Sequence, residues 1–170
     1  IVNPDNHIKT LSIDQLKAIY LGARNWKQFG GRDKTIVTCG RDSSSGTYGF
    51  FQEKVLGGRN YRSDMITQPS NNAICQMVSQ DAGAIGYVGL AYAKKLAERG
   101  KVRVVAISKG KGSAIEATDE TVLSGKYPLW RYLYCYTAGK PSGVAADFLK
   151  FAVGPEGQKI AEEVGYVRLK

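Results

Sequence analysis

One stretch constrains the fold more than any other. It runs Thr35-Ile36-Val37-Thr38-Cys39-Gly40-Arg41-Asp42-Ser43-Ser44-Ser45-Gly46-Thr47 and continues from Tyr48 to Gly57. The β-branched run Thr35 to Thr38 predicts a buried strand. A polar loop follows, with one Arg, three serines, Gly46 and Thr47. Phe50, Phe51, Val55 and Leu56 then predict a helix, ended by Gly57-Gly58. A strand feeding a helix through small residues makes an anion site, because the first helical amides lack intrahelical acceptors and carry the positive end of the dipole. Gly46 lets a ligand approach the backbone, Ser45 and Thr47 add hydroxyl donors, and Arg41 adds a charged fork suited to tetrahedral oxyanions. The plain structural alternative is that Ser45 or Thr47 only caps the helix and the serines fill the loop. No Lys follows Gly46, so this is not a Walker loop.

A chain of 170 residues can bury a core of its own. A hydrophobic share of 43% and 20 glycines suit an α/β protein with many tight loops. No apolar run reaches the length of a membrane span. With no start Met and no signal peptide, the chain reads as a mature or excised piece. The formal charge is +9, concentrated at Lys94, Lys95, Arg99, Lys101, Arg103, Lys109 and Lys111. That cluster is either a solvated face or an electropositive surface for small anions or an acidic partner. No nucleic-acid motif accompanies it. Cys39, Cys75 and Cys135 each lie in an apolar context and are expected to be small buried hydrophobes. Their spacing fits no metal site, and no cofactor is expected.

Around the central stretch the pattern alternates. Leu11 to Gly22 predicts a helix with a Ser12/Gln15 capping box and Leu16, Ile19 and Tyr20 inward. Asn25 to Gly31 is a turn anchored by Trp26 and Phe29. Asn71 to Val78 predicts a helix with Ile74, Met77 and Val78 inward, and Ala84 to Val88 a short strand. A helix from Leu90 to about Arg99 and a strand from Val102 to Ile107 follow, then a flexible basic loop from Lys109 to Ser113. Tyr127-Pro128-Leu129-Trp130 marks a break. Arg131 to Thr137 alternates tyrosine with leucine and cysteine, which predicts a strand packing aromatics on both sides. Two helices, Ser142 to Val153 and Gly154 to about Val164, close the chain, with a terminal strand expected at Tyr166 to Leu169. Strands alternating with helices argue for an open α/β sheet.

Several stretches, in order, resemble the PstS-type phosphate-binding proteins of bacterial ABC transporters. Arg41 to Thr47 is similar to that family's phosphate-contacting loop. Ser12-x-Asp14-Gln15-Leu16 and Asn25-Trp26-Lys27-x-x-Gly30-Gly31 resemble the helix and turn before it. Gly83 to Val88 is similar to the Gly-Ala-Ile-Gly-Tyr strand. Tyr127-Pro128-Leu129 with Leu133-Tyr134 resembles the strand returning through the hinge, and Phe148-Leu149 to Ile160 with Gly165-Tyr166-Val167 the closing helices. The resemblance implies a type II periplasmic-binding-protein-like fold: two α/β lobes with mixed open sheets, joined by crossing strands around a clamped ligand. Residues 5–126 would be the second, central lobe with the anion loop. Residues 1–4 and 127–137 would be the hinge crossings, and residues 138–170 C-terminal helices of an incomplete first lobe, whose usual opening segment has no counterpart here. By the same resemblance Arg41 would grip inorganic phosphate bidentately, with Ser45, the Gly46 amide and Thr47 as neutral donors. Ser43, Ser44 and Asp42 would support them. Many members carry an Asp two residues after the Arg to orient it; here that residue is Ser43, with Asp42 as a substitute.

The implied role is the solute-binding component of a phosphate importer, not an enzyme, periplasmic or extracellular, docking on the ABC transporter permease. A homodimer or a separate first-lobe chain would complete the cleft. Two other classes compete. A hydrolase using Ser44 or Ser45 lacks a partner pattern: His7 is the only histidine, and Gly-x-Ser-x-Gly is absent. A stand-alone lobe acting as a scaffold or a module for an anionic partner, nucleic acid included, would use the Lys94 to Lys111 face without Arg41.

Overall fold

The computed structural model describes residues 1–169. Parallel strands alternate with helices over the first two thirds of the chain. In order they are β1 (Thr10–Ser12), α1 (Ile13–Leu21), β2 (Val37–Arg41), α2 (Gly46–Lys54), β3 (Ile66–Gln68), α3 (Asn71–Gln80), β4 (Ala84–Gly86), α4 (Leu90–Ala97), β5 (Ala106–Ser108) and α5 (Asp119–Leu123). The chain then runs without regular structure to α6 (Gly143–Val153) and α7 (Pro155–Glu163). A single 3₁₀ turn, Trp26–Phe29, lies between α1 and β2.

The sheet is built in two ladders. β2 lies in the centre of β3–β2–β4, parallel to both neighbours, and β1 pairs parallel with β5. Val2 joins them, forming antiparallel bridges to Ile85 of β4 and to Arg103 just before β5. The result is the mixed open sheet expected from sequence. Parallel neighbours need crossovers that cover the faces, so successive side chains must meet different helices. Ile85 packs in one cluster with Leu16, Ile19 and Tyr20 of α1, Phe51 of α2, and Val55 and Leu56 just beyond it. Ala84 on the opposite face packs with Ile74 and Val78 of α3. Gly86 shows how close that second contact is: a β-carbon there would lie 2.5 Å from Ile74 Cγ2 and 3.0 Å from Cys39 Sγ.

Local chemistry fixes the ends of the elements. Ser12 and Gln15 form the expected reciprocal capping box at α1, and Gly22 closes that helix. Ser70 caps α3, and Pro155 starts α7 in the first turn, where its missing N–H costs nothing. Trp26, fully buried, donates its indole N–H to the Gly83 carbonyl at 2.9 Å. Tyr20 Oη lies 3.2 Å from the Cys39 carbonyl and 3.3 Å from that of Ile85, tying α1 to the sheet.

Several sequence expectations need correction. The central strand begins at Val37, not Thr35, because Thr35 bridges Asn25 at the turn. Leu11 belongs to β1 rather than to the helix, and of the expected Val102–Ile107 strand only Ala106 and Ile107 enter the ladder, which runs on to Ser108. Arg131 to Thr137 and Tyr166 to Leu169 are not strands. A strand needs a neighbour for its backbone groups, and neither segment pairs with another among the described residues. Tyr132, Leu133, Tyr134 and Tyr136 are accordingly exposed, and the tyrosines pack mainly on one another rather than on two sides of a sheet. Cys39 and Cys75 are buried as expected, but Cys135 is exposed in the same unpaired segment.

Candidate anion-binding site

The carboxyl end of β2 delivers Arg41 directly to the loop, and α2 begins five residues later. Asp42 folds what lies between. Its Oδ1 accepts from the Ser44 amide at 3.0 Å and from the Ser44 hydroxyl, while its carbonyl accepts from the Ser45 amide at 3.1 Å. These Ser44 bonds hold the Asp42 carboxyl below its ordinary range. Ser45 is the N-cap, its Oγ accepting from the Thr47 amide at 3.2 Å. The cap reading and the anion reading are therefore compatible. Ser45 satisfies one first-turn amide, and those of Gly46 and Tyr48 still have no intrahelical acceptor.

Arg41 is the unusual group. Its side chain is 19% exposed, yet Nε is sealed from solvent and has no hydrogen-bond partner. Asp42 Oδ2 stands 3.9 Å from Nε, close enough for attraction but too long for a hydrogen bond. The substitution of Asp42 for an orienting Asp is thus loose, since that carboxylate is engaged in shaping the loop. A sealed guanidinium N–H without an acceptor is costly, and an oxyanion is the group that would satisfy it. Ser43 and Ser44 are exposed, and Thr47 and Ser45 half-buried.

Beside the loop opens a cleft of about 850 Å³, lined among others by Thr47, Phe50, Asn71, Tyr87, Trp130 and Arg131. Thr47 is the one sequence-selected residue that lines it. Asn71, at the start of α3, has a buried Oδ1 without a hydrogen-bond partner. Arg131 is the residue that sequence reasoning missed. A β-carbon at residue 46 would stand 3.2 Å from its Nη2 and 3.4 Å from its Nη1. The available signal was a lone Arg directly after the Tyr127-to-Trp130 break, 84 residues from Thr47 in sequence but adjacent to α2 in space.

The competing classes find less support. Ser45 Oγ is occupied as a cap acceptor, and His7 is exposed and hydrogen-bonded to neither Ser44 nor Ser45 among the described residues. In the basic stretch, Lys94 pairs with Asp119 and Arg103 donates to the Asn6 carbonyl, while Lys95, Arg99, Lys101, Lys109 and Lys111 are exposed. That is a solvated face.

Comparison with known proteins agrees with this geometry. The PBP superfamily domain matches residues 1–156. The phosphate-binding protein PstS of Bacillus subtilis is 35% identical over 168 residues, covering 98% of this chain and 53% of the relative. PstS of Pseudomonas aeruginosa is 33% identical, with 99% and 56% covered. The chain thus spans about half the length of the curated relatives it matches. Among solved structures, a phosphate ABC transporter substrate-binding protein described from Clostridium perfringens, with phosphate bound, superposes with a TM-score of 0.83 at 30% identity. That match covers all of this chain and 67% of the other. PstS of Borrelia burgdorferi gives a TM-score of 0.77 at 32% identity, covering 68% of that chain. A mixed α/β sheet with a polar loop at the end of its central strand, together with these matches, places the chain in the PBP superfamily, in the family of the PstS-type phosphate-binding proteins.

Proposed function

We propose that this chain binds inorganic phosphate at the Arg41–Thr47 loop, as part of the solute-binding component of an ABC-type phosphate importer. The observation that carries the proposal is the sealed, unpartnered Nε of Arg41 at the end of β2, five residues before the amino terminus of α2. Arg41 supplies charge and a planar fork. Ser45, the Gly46 amide and Thr47 supply neutral donors, and Asp42 and Ser44 hold the loop in shape. The relatives' names, phosphate-binding proteins rather than enzymes, support capture without turnover, and the ABC transporter named for the Clostridium perfringens protein supports a permease partner. A periplasmic or extracellular setting is part of the same proposal.

On this reading residues 5–126 form one jaw, with residues 1–4 and 127–137 as crossings. Residues 138–170 contribute to a second jaw that a further lobe or a second chain completes. Arg41→Ala removes a charged donor, and hydrogen bonds to charged groups are worth about 1.5–3 kcal/mol. Calorimetric phosphate titration should therefore show affinity falling by about tenfold or more. Equal phosphate heats for the parent and Arg41→Ala, or none for the parent, would sink the proposal.

A further inference from the structure

We infer that Arg131 is a second guanidinium of the anion site, delivered from the crossing segment and specific for multiply charged oxyanions. The inference rests on the phosphate reading and extends it to a residue outside the loop.

Three observations converge on Arg131. The backbone that delivers it is fixed: Tyr127 and Leu129 pack on the main core cluster, and the Tyr127 amide donates to the Thr121 carbonyl at 2.9 Å. The side chain is directed over α2, its guanidinium carbon 5.5 Å from the centroid of the Phe50 ring. Such a cation–π contact selects a rotamer without consuming the N–H donors. The third observation is electrostatic. Arg131 stands against Gly46 at the positive end of α2, and among the described residues it has no carboxylate within ion-pair distance. A cation at the amino terminus of a helix is the unfavourable polarity, where an anion belongs. Arg41, two residues beyond Cys39 in the same strand end, adds another positive group to the same loop. The Arg131 guanidinium and the amino terminus of α2 repel one another until an anion lies between them. The repulsion relieved grows with the anion's charge, so a divalent oxyanion is favoured over a monovalent one.

This gives Gly46 a role beyond backbone approach. Any side chain there would press on Nη2 and Nη1 and displace the second fork. It also couples ligand to hinge, because the crossing that carries Arg131 is held to the loop through the bound anion.

The test is phosphate titration of the parent protein, Arg131→Ala, Arg131→Lys, Phe50→Leu and the Phe50→Leu/Arg131→Ala pair, with circular dichroism to verify the fold. Arg131→Ala should weaken phosphate binding about tenfold or more, and Arg131→Lys should recover part of it. Phe50→Leu should weaken binding in the parent and have no further effect once Arg131 is gone, a coupling that a purely structural role would not produce. Singly charged nitrate should lose less than phosphate in Arg131→Ala. Phosphate binding within about twofold of the parent in Arg131→Ala, with Arg41→Ala still defective, overturns this inference and leaves the phosphate site standing. A parent protein that binds no phosphate overturns both.

Discussion

Arg62 shows how much a single residue organises at the edge of this fold. It is 8% exposed, and its Nη1 donates to the Ala23 carbonyl at 2.7 Å, just past the end of α1. Its Nε and Nη2 grip Asp64 at 2.6 and 3.0 Å, a two-point contact that fixes the plane of the fork. Arg24 donates to the same carboxylate. The Arg62 hydrogen bonds, followed by that of Arg24, depress the Asp64 carboxyl well below its ordinary range. A depressed carboxylate stabilises the fold above its unfolded value, about 3.9 for Asp, and the contribution fades as pH falls toward the folded value. Asp64→Asn should therefore lower the urea midpoint at pH 7, and the gap between parent and variant should narrow at pH 3. A gap that stays constant with pH would show that Asp64 acts by packing and not by charge. The same contrast separates Asp64 from Asp42, whose carboxyl is depressed mainly by Ser44 and whose work is local loop shaping.

At the scale of elements, the strand–loop–helix unit is where sequence and structure agree best. The unit was legible because its signals are local: β-branched residues for β2, small polar residues for the loop, and a capping serine with an apolar stripe for α2. Its boundaries moved because Thr35, a good strand residue, is claimed by Asn25 at the turn. Alternation misled at Arg131 to Thr137, since period two reports a geometry and says nothing of whether a partner strand exists. The contact of Arg131 with Gly46 was illegible for a related reason: no local pattern encodes a juxtaposition across 85 residues. β3 and α5 were missed because three and five residues carry too little periodicity to register. Packing between elements makes a sharper demand at Gly86, where α3 lies against β4. Gly86→Ala would force the fully buried Ile74 from its place, and overpacking of this kind costs about 1–3 kcal/mol. Thermal unfolding should show a lowered Tm. An unchanged Tm would mean that α3 can shift away from the sheet without loss.

At the scale of the whole molecule, the two ends of the chain differ in how well they are buried. Among the described residues, every fully buried large side chain lies within residues 2–108, whereas α6 and α7 contain no buried residue. The two helices pack on each other, and Gly165 returns the chain to Ala91 of α4. Val144, Phe148, Val153, Ile160 and Val164 nevertheless remain between 50% and 84% exposed, and Tyr132 to Tyr136 lie open beside the cleft. Apolar exposure on this scale marks a surface that another protein surface covers, consistent with the proposal that a second jaw completes the site. The consequence can be measured on the 170-residue chain itself. Multi-angle light scattering should give a mass above that of the 18.5 kDa monomer, and Phe148→Asp with Val144→Asp should return it to the monomer without loss of helix content. If, as proposed, the donor set is divided between two jaws, phosphate should raise the associated fraction when two chains share a site, and Arg41→Ala should remove that response while leaving apolar association intact. A parent chain that is monomeric at high concentration, with and without phosphate, would show that these helices tolerate exposure and that the second jaw is not another copy of this chain.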